Sequence, residues 1–357
     1  MQEVHGGDIY RNQVMLDFSV NVNPLGPPEE VRRALHEAVA HCGEYPDIHW
    51  GKLKAALSRE LSVKKEYLVC GNGASELFMG IMHGLRPEKT LIPVPSFSGY
   101  RYAAEAVESQ VIEIALREEN GFSLAEEPFR ALVALTGEKE SILFLANPNN
   151  PTGRLVGKKE LQSLIDYCKK KGVWLVVDEC FLEFCRDGAS ALPFLEAYDR
   201  LIVVRAFTKI YAVPGVRLGY LACGNRDFIQ KVAKQLPEWN LSVFAQEAGV
   251  CCLKQRAYRK KTAGYVEKER DFLTEGLRRL GIKTYESDAN FILLSSGLPL
   301  RRELLKRGIL IRECGNFKGL SQDYYRVAVK KRSENEKLLK ALGDLFEENR
   351  AAFAGRN

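Results

Sequence analysis

Three apolar runs constrain this chain more than any other feature. Ile142–Ala146 (ILFLA) leads into the turn NPNNPTG, Val173–Val177 (VWLVV) into Asp178-Glu179, and Leu201–Val204 (LIVV) into a loop that carries Lys209. Each run reads as a buried strand that ends in a polar loop. The runs are continuously apolar rather than alternating, which is the pattern of strands covered on both faces by helices in a parallel sheet. Loops at the carboxyl ends of neighbouring parallel strands converge on one crevice, and open α/β sheets bind their ligands there. The fold class that follows is α/β with a mostly parallel central sheet.

The rest of the chain fits around that sheet. Residues 1 to 27 read as an irregular arm ending in NVNPLGPP. A helix then starts at Pro28, with Glu29 and Glu30 at its positive end, and is expected to run to Gly43. KLKAALSREL reads as a helix, and YLVCGNGASELFMGIMHGL as a short strand, a glycine turn and a helix. TLIPV and VIEIAL read as strands, and ELQSLIDYCKK places Leu161, Leu164, Ile165 and Cys168 on one helical face. The apolar strands from 142 to 222 are expected to belong to one parallel sheet. After residue 240 the pattern changes to one long charged helical stretch from AQEAGV to GLRRL. NFILLSS, ILIREC and YYRVAVK follow as strands, with a helix between the first two. A last helix is expected to open on a capping box, Ser333 with Glu336, and to bury Leu338, Leu339, Leu342, Leu345 and Phe346. The expected division is an arm and helix over 1–45 that join a smaller domain, a large α/β domain over 46–240, and a smaller α+β domain over 241–357.

Charge and cysteine usage exclude several classes. The net charge of +6 is mild for 357 residues, and basic and acidic side chains are intermixed. That mixture implies a local phosphate or carboxylate pocket and no nucleic-acid partner. Nine cysteines without CxxC or CxH spacing read as reduced thiols of a cytoplasmic protein, with no metal site. The polar start MQEVHGGDIY carries no signal-peptide core, and no apolar run reaches membrane-spanning length.

The strand-end residues form a chemical set. A lysine after a strand is ordinarily a surface charge, but Lys209 follows Thr208 and precedes PGVRLGY with Arg217. Asp178 ends a fully apolar strand, where a carboxylate needs a cation or a donor. Ala74 and Ser75 open a helix after two glycines, so their N–H groups are free for a phosphate. A lysine for a Schiff base, an acid for a ring nitrogen, and donors for a ring oxygen and a phosphate together suit pyridoxal 5'-phosphate. His5 lies in the arm, and the two glycines after it allow close backbone approach to a ligand.

NPNNPTG, VDE, TK, PGVRLGY and YYRVAV resemble, in order and spacing, the aminotransferase-like fold-type I pyridoxal phosphate enzymes. The resemblance runs from about His5 to the last helix. Within that group the chain is similar to the histidinol-phosphate aminotransferase branch. HGG, DFSVNVNPLGPP, Phe181 in DECFLEF and IRECGNFKGL make it similar, more narrowly, to the threonine-phosphate decarboxylases.

The resemblance implies a role for each matching residue. Lys209 would be the Schiff-base lysine, Asp178 the partner of the pyridine nitrogen, Asn150 a donor to the ring's 3-oxygen and Phe97 the stacking ring. Ala74, Ser75, Thr208 and Arg217 would hold the phosphate, with Tyr45 reaching the site of a second subunit in a homodimer. His5, Gly6, Asn21, Asn150, Arg312 and Arg326 would line the substrate pocket. Ala206 stands where the family commonly has a hydroxyl, so one phosphate contact is missing or supplied elsewhere. The implied reaction is decarboxylation of O-phospho-L-threonine in cobalamin biosynthesis. Histidinol-phosphate transamination and O-phosphoserine decarboxylation are the alternatives.

Overall fold

A computed structural model describes residues 6–124 and 141–354. The first strand, β1 (Leu16–Asp17), is two residues long and lies within the arm. Helix α1 (Glu29–Ala38) begins just after Pro28. It ends short of Gly43, because the chain tightens into a 3-10 turn over Val39–His41. Helix α2 (Gly51–Leu61), β2 (Leu68–Gly71) and α3 (Ala74–Leu85) follow. The next segment holds β3 (Lys89–Val94), α4 (Gly99–Glu105) and β4 (Gln110–Ala115). Then come β5 (Ser141–Ala146), α5 (Lys158–Lys171), β6 (Trp174–Asp178), β7 (Leu201–Ala206), α6 (Phe207–Ile210) and β8 (Gly219–Cys223). Strands β2 to β8 form one seven-stranded sheet in the order β2-β8-β7-β6-β5-β3-β4.

The three apolar runs are β5, β6 and β7, adjacent and parallel in that sheet. Their side chains are almost wholly buried, as a doubly covered sheet requires. Helix α5 buries the expected stripe of Leu161, Leu164, Ile165 and Cys168. One expectation is corrected: β8 runs antiparallel to both β7 and β2. Only a single helical turn, α6, and a short 3-10 turn separate β7 from β8. That connection is too short for the crossover a parallel neighbour needs.

The long helical stretch is two helices, α7 (Arg226–Ala233) being followed by α8 (Val243–Leu253) and α9 (Arg256–Arg279). The break at Lys254-Gln255 lets them bury against different neighbours. Helix α8 packs on α1 and α2, and α9 packs on the C-terminal elements. Those are β9 (Lys283–Thr284), β10 (Phe291–Ser295), α10 (Leu300–Leu305), β11 (Ile309–Leu310), β12 (Arg312–Glu313), β13 (Tyr324–Ala328) and α11 (Arg332–Ala354). Strands β12-β13-β10-β9 form an antiparallel sheet, and β1 pairs with β11 in parallel, which ties the arm to this half. The capping contacts of α11 also differ from expectation. Glu334 accepts the Lys331 N–H at 3.1 Å and Asn335 accepts the Lys330 N–H at 3.1 Å, two and three residues before the Ser333 of the expected box. Leu338, Leu342 and Leu345 of α11 are buried, with Leu339 and Phe346 packed beside them.

Candidate active site

The carboxyl ends of β3, β5, β6 and β7, the start of α3 and the β12–β13 pair enclose one cavity of about 390 Å³. That is the size of a small-ligand site. Lys209, Asp178, Asn150, Phe97, Ala74, Ser75, Thr208, Arg217, Gly6, Asn21, Arg312 and Arg326 all line it. His5 lies outside the described residues. Tyr45 does not line the cavity; it is exposed and its ring lies 4.9 Å from that of Trp239.

At one pole stands Asp178, the last residue of β6. It accepts the Tyr100 hydroxyl at 2.6 Å and the Cys180 N–H at 2.9 Å. Burial pushes its carboxyl pKa up, and the contacts from Cys180 and Tyr100 pull it back down. Among the described residues it has no cationic partner, so it is a desolvated carboxylate facing the cavity with donors on two sides. Tyr100 is itself fixed by stacking on Phe144, with centroids 4.9 Å apart, and Phe97 meets its edge at 5.6 Å.

At the other pole is an anion cradle. Helix α3 starts at Ala74, and its first N–H groups lack intrahelical acceptors. Gly73 has φ +80°, and a Cβ there would lie 2.5 Å from the Arg217 guanidinium, which crosses the turn. Arg217 is held by the carbonyls of Pro214 and Asn72 at 3.2 and 3.3 Å. Glu76 braces the same turn by accepting the Asn72 N–H at 2.6 Å and the Asn240 amide at 2.8 Å. Between the poles Lys209 is half-buried on the cavity wall. Desolvation first, then the charges of Arg326 and Arg217, lower its amine to about 8.

The roof is the β12–β13 pair, where Arg312 and Arg326 are direct cross-strand partners. Arg326 donates to the Ser19 carbonyl at 2.8 Å and to the Asn150 side-chain oxygen. Burial lowers its pKa to about 10, and its Nε has no partner among the described residues. Arg312 donates to Asn316 at 2.7 Å and lies over the Phe317 ring at 5.3 Å. The Asn21 Oδ1 is likewise buried and unpaired. Gly6 lies so close to the Ser19 carbonyl that a Cβ would come within 2.3 Å. Phe181 and Ala206 line the cavity without a hydroxyl.

These features fit pyridoxal phosphate: a cradle for a dianion, a desolvated carboxylate lacking a cation among the described residues, and a half-buried amine between them. Residues that the sequence reading did not single out are Tyr100, Ser19, Ser96 and Asn316. Ser96 lines the cavity with a buried hydroxyl that has no partner among the described residues.

The family of class I and II aminotransferases matches residues 13–342. The chain is 37% identical to a protein of Caldanaerobacter subterraneus provisionally named threonine-phosphate decarboxylase, over 96% of this chain and 94% of that one. It is 35% identical to the threonine-phosphate decarboxylase of Salmonella typhimurium, over 96% of each chain. The crystal structure of the histidinol-phosphate aminotransferase from Clostridium acetobutylicum superposes with a TM-score of 0.86 at 32% identity, covering 94% of this chain and all of that one.

Proposed function

The chain belongs to the class I and II aminotransferase family, and from that footing we propose that it decarboxylates O-phospho-L-threonine to 1-aminopropan-2-ol phosphate with pyridoxal phosphate as cofactor. The observation that carries the reading is the pair of cross-strand arginines, Arg312 and Arg326, set in the same cavity as Lys209 and Asp178. Two guanidiniums suit a substrate with two anionic groups, because each can clamp one in a bidentate fork.

When bound, pyridoxal phosphate supplies an electron-withdrawing ring that accepts the electron pair of a bond broken at the substrate's α-carbon. This chain's residues do the rest. Asp178, whose anionic form accepts from Tyr100 and the Cys180 N–H, would hold a proton on the ring nitrogen. Ala74, Ser75, Thr208 and Arg217 would anchor the phosphate, Asn150 the 3-oxygen, and Phe97 would pack on the ring. Lys209 carries the cofactor, and its lowered pKa makes its neutral form accessible near neutral pH. Arg312, Arg326, Asn21, Gly6 and His5 would orient the substrate so that its carboxylate, and not its α-hydrogen, is the group presented for bond breaking. Orientation of that one bond selects the reaction.

Phe181, 5.1 Å from the Phe291 ring, supports the decarboxylase over the aminotransferase, which places a tyrosine there. The reading includes a homodimer, in which exposed Tyr45 reaches the phosphate in the second subunit. It also includes a cytoplasmic setting in cobalamin biosynthesis, and the nine free cysteines support the compartment. Parallel assays with O-phospho-L-threonine, O-phospho-L-serine and L-histidinol phosphate plus 2-oxoglutarate test the proposal. Carbon dioxide released fastest from phosphothreonine supports it. Glutamate formed from histidinol phosphate, with no carbon dioxide from phosphothreonine, replaces it with the aminotransferase.

A further inference from the structure

A second, small core fastens the arginine-bearing sheet to the large one. The register of β12, β13 and β10 sets Arg312, Arg326 and Leu293 side by side. Directly paired residues leave a sheet on the same face, and so does a residue two positions along the strand. Tyr324, two residues before Arg326, therefore shares the arginines' face. Leu293, Tyr285, Cys314 and Phe317 cluster there with Phe122, and Tyr324 packs against them. Phe122 comes from the other half of the molecule, in the turn after β4. Its ring lies 5.2 Å from Tyr285, which stacks on Tyr324 at 5.9 Å.

That turn is held in an unusual conformation. Gly121 and Phe122 are both left-handed, with φ of +63° and +58°. A bulky residue at positive φ is strained, and burial of the Phe122 ring offsets the strain. Glu118, on the same turn, accepts from Lys283 Nζ at 2.5 Å and from the Tyr285 hydroxyl. Tyr324 stands beside this pair, and together with Lys283 and Tyr285 it holds the Glu118 carboxyl at about 2. One carboxylate thus gathers both stacked tyrosines of the opposing sheet. Arg312 is mounted on the same cluster through Phe317 and Asn316.

We infer that Glu118 is a positioning residue for substrate: through Tyr285, Tyr324 and Phe317 it sets how closely the arginine-bearing face sits over the cavity. Glu118 is not among the residues that line the cavity. Lys209, Asp178 and the phosphate cradle stand on the large sheet, and among the described residues Glu118 bonds none of them. The inference rests on the proposed function only in that Arg312 and Arg326 grip the substrate's anions.

The test compares Glu118→Ala, Glu118→Gln and Tyr285→Phe with wild type. Steady-state kinetics on O-phospho-L-threonine are run beside fluorescence titration of the apoenzyme with pyridoxal phosphate. Glu118→Ala is expected to raise KM about tenfold, the scale of a typical coupling between separate sites. Its kcat should change less than its KM, and its cofactor affinity should stay at the wild-type value. Glu118→Gln, which keeps an acceptor, should recover part of the loss. An unchanged KM overturns the inference. So does a KM that rises only together with a loss of cofactor affinity, since that is general loosening. If wild type releases no carbon dioxide, the decarboxylase reading fails instead. The same comparison is then made on histidinol phosphate, whose phosphate also needs an arginine, and the same rise in KM is expected.

Discussion

Arg326→Ala should damage the protein in three separable ways. Arg326 is desolvated, bonds the Ser19 carbonyl at 2.8 Å and the Asn150 side chain, and keeps its Nε for a ligand. Truncating one partner of a buried charge pair costs about 2–5 kcal/mol, which is about 30- to 5,000-fold in kcat/KM. The fold also suffers, because the buried Ser19 carbonyl loses its donor, at about 1–3 kcal/mol. Third, the charge that helps depress Lys209 is gone. Its amine in the apoenzyme should titrate above about 8, yet short of the ordinary 10.5, because burial is the larger cause and remains. Arg326→Lys keeps the charge without the fork, so it should restore the Lys209 titration better than it restores kcat/KM. Carbon dioxide release gives the first effect, thermal unfolding the second, and pH-dependent labelling of the apoenzyme amine the third. A wild-type kcat/KM in Arg326→Ala refutes the substrate role, and an unmoved Lys209 titration refutes the electrostatic coupling.

Asp178→Asn should lower turnover far more than cofactor occupancy, since the amide cannot hold a proton on the ring nitrogen while the phosphate cradle is untouched; near-normal turnover would reject the role. Tyr45→Phe should weaken cofactor retention in a dimeric enzyme, as measured by cofactor loss on dialysis, and a fully active monomer contradicts the shared site. Apoenzyme stability should rise with pH between about 8 and 10.5, because the unfolded chain holds the Lys209 proton across that window and the folded chain does not. Denaturant melts of wild type and Lys209→Met check this, and the rise should be smaller in the variant.

The sequence carried the parts of the site that lie at strand ends. Asp178 and Lys209 follow uninterrupted apolar runs, so strand, burial and a chemically placed terminus could be read together. The stripe on α5 was legible for the same local reason. What the sequence did not carry depends on contacts between distant segments. Tyr100 reaches Asp178 across 78 positions, and nothing near either residue signals the pairing. The antiparallel turn of β8 was masked because its residues are as apolar as those of its parallel neighbours. The break at Lys254-Gln255 follows from two helices choosing different partners, although both halves have good helical composition. The pairing of Arg312 with Arg326 needed the register of β12 on β13, and spacing alone does not give it.

Covalent mapping tests the site most directly. Protein loaded with pyridoxal phosphate is reduced with borohydride, digested, and searched by mass spectrometry for phosphopyridoxyl-lysine. The half-buried amine of Lys209, between the Asp178 pole and the Arg217 cradle, should carry the label in near-stoichiometric amount, and Lys209→Ala should carry none. A label on another lysine, or an unlabelled Lys209 in protein that retains its cofactor and turns over substrate, would contradict the assignment.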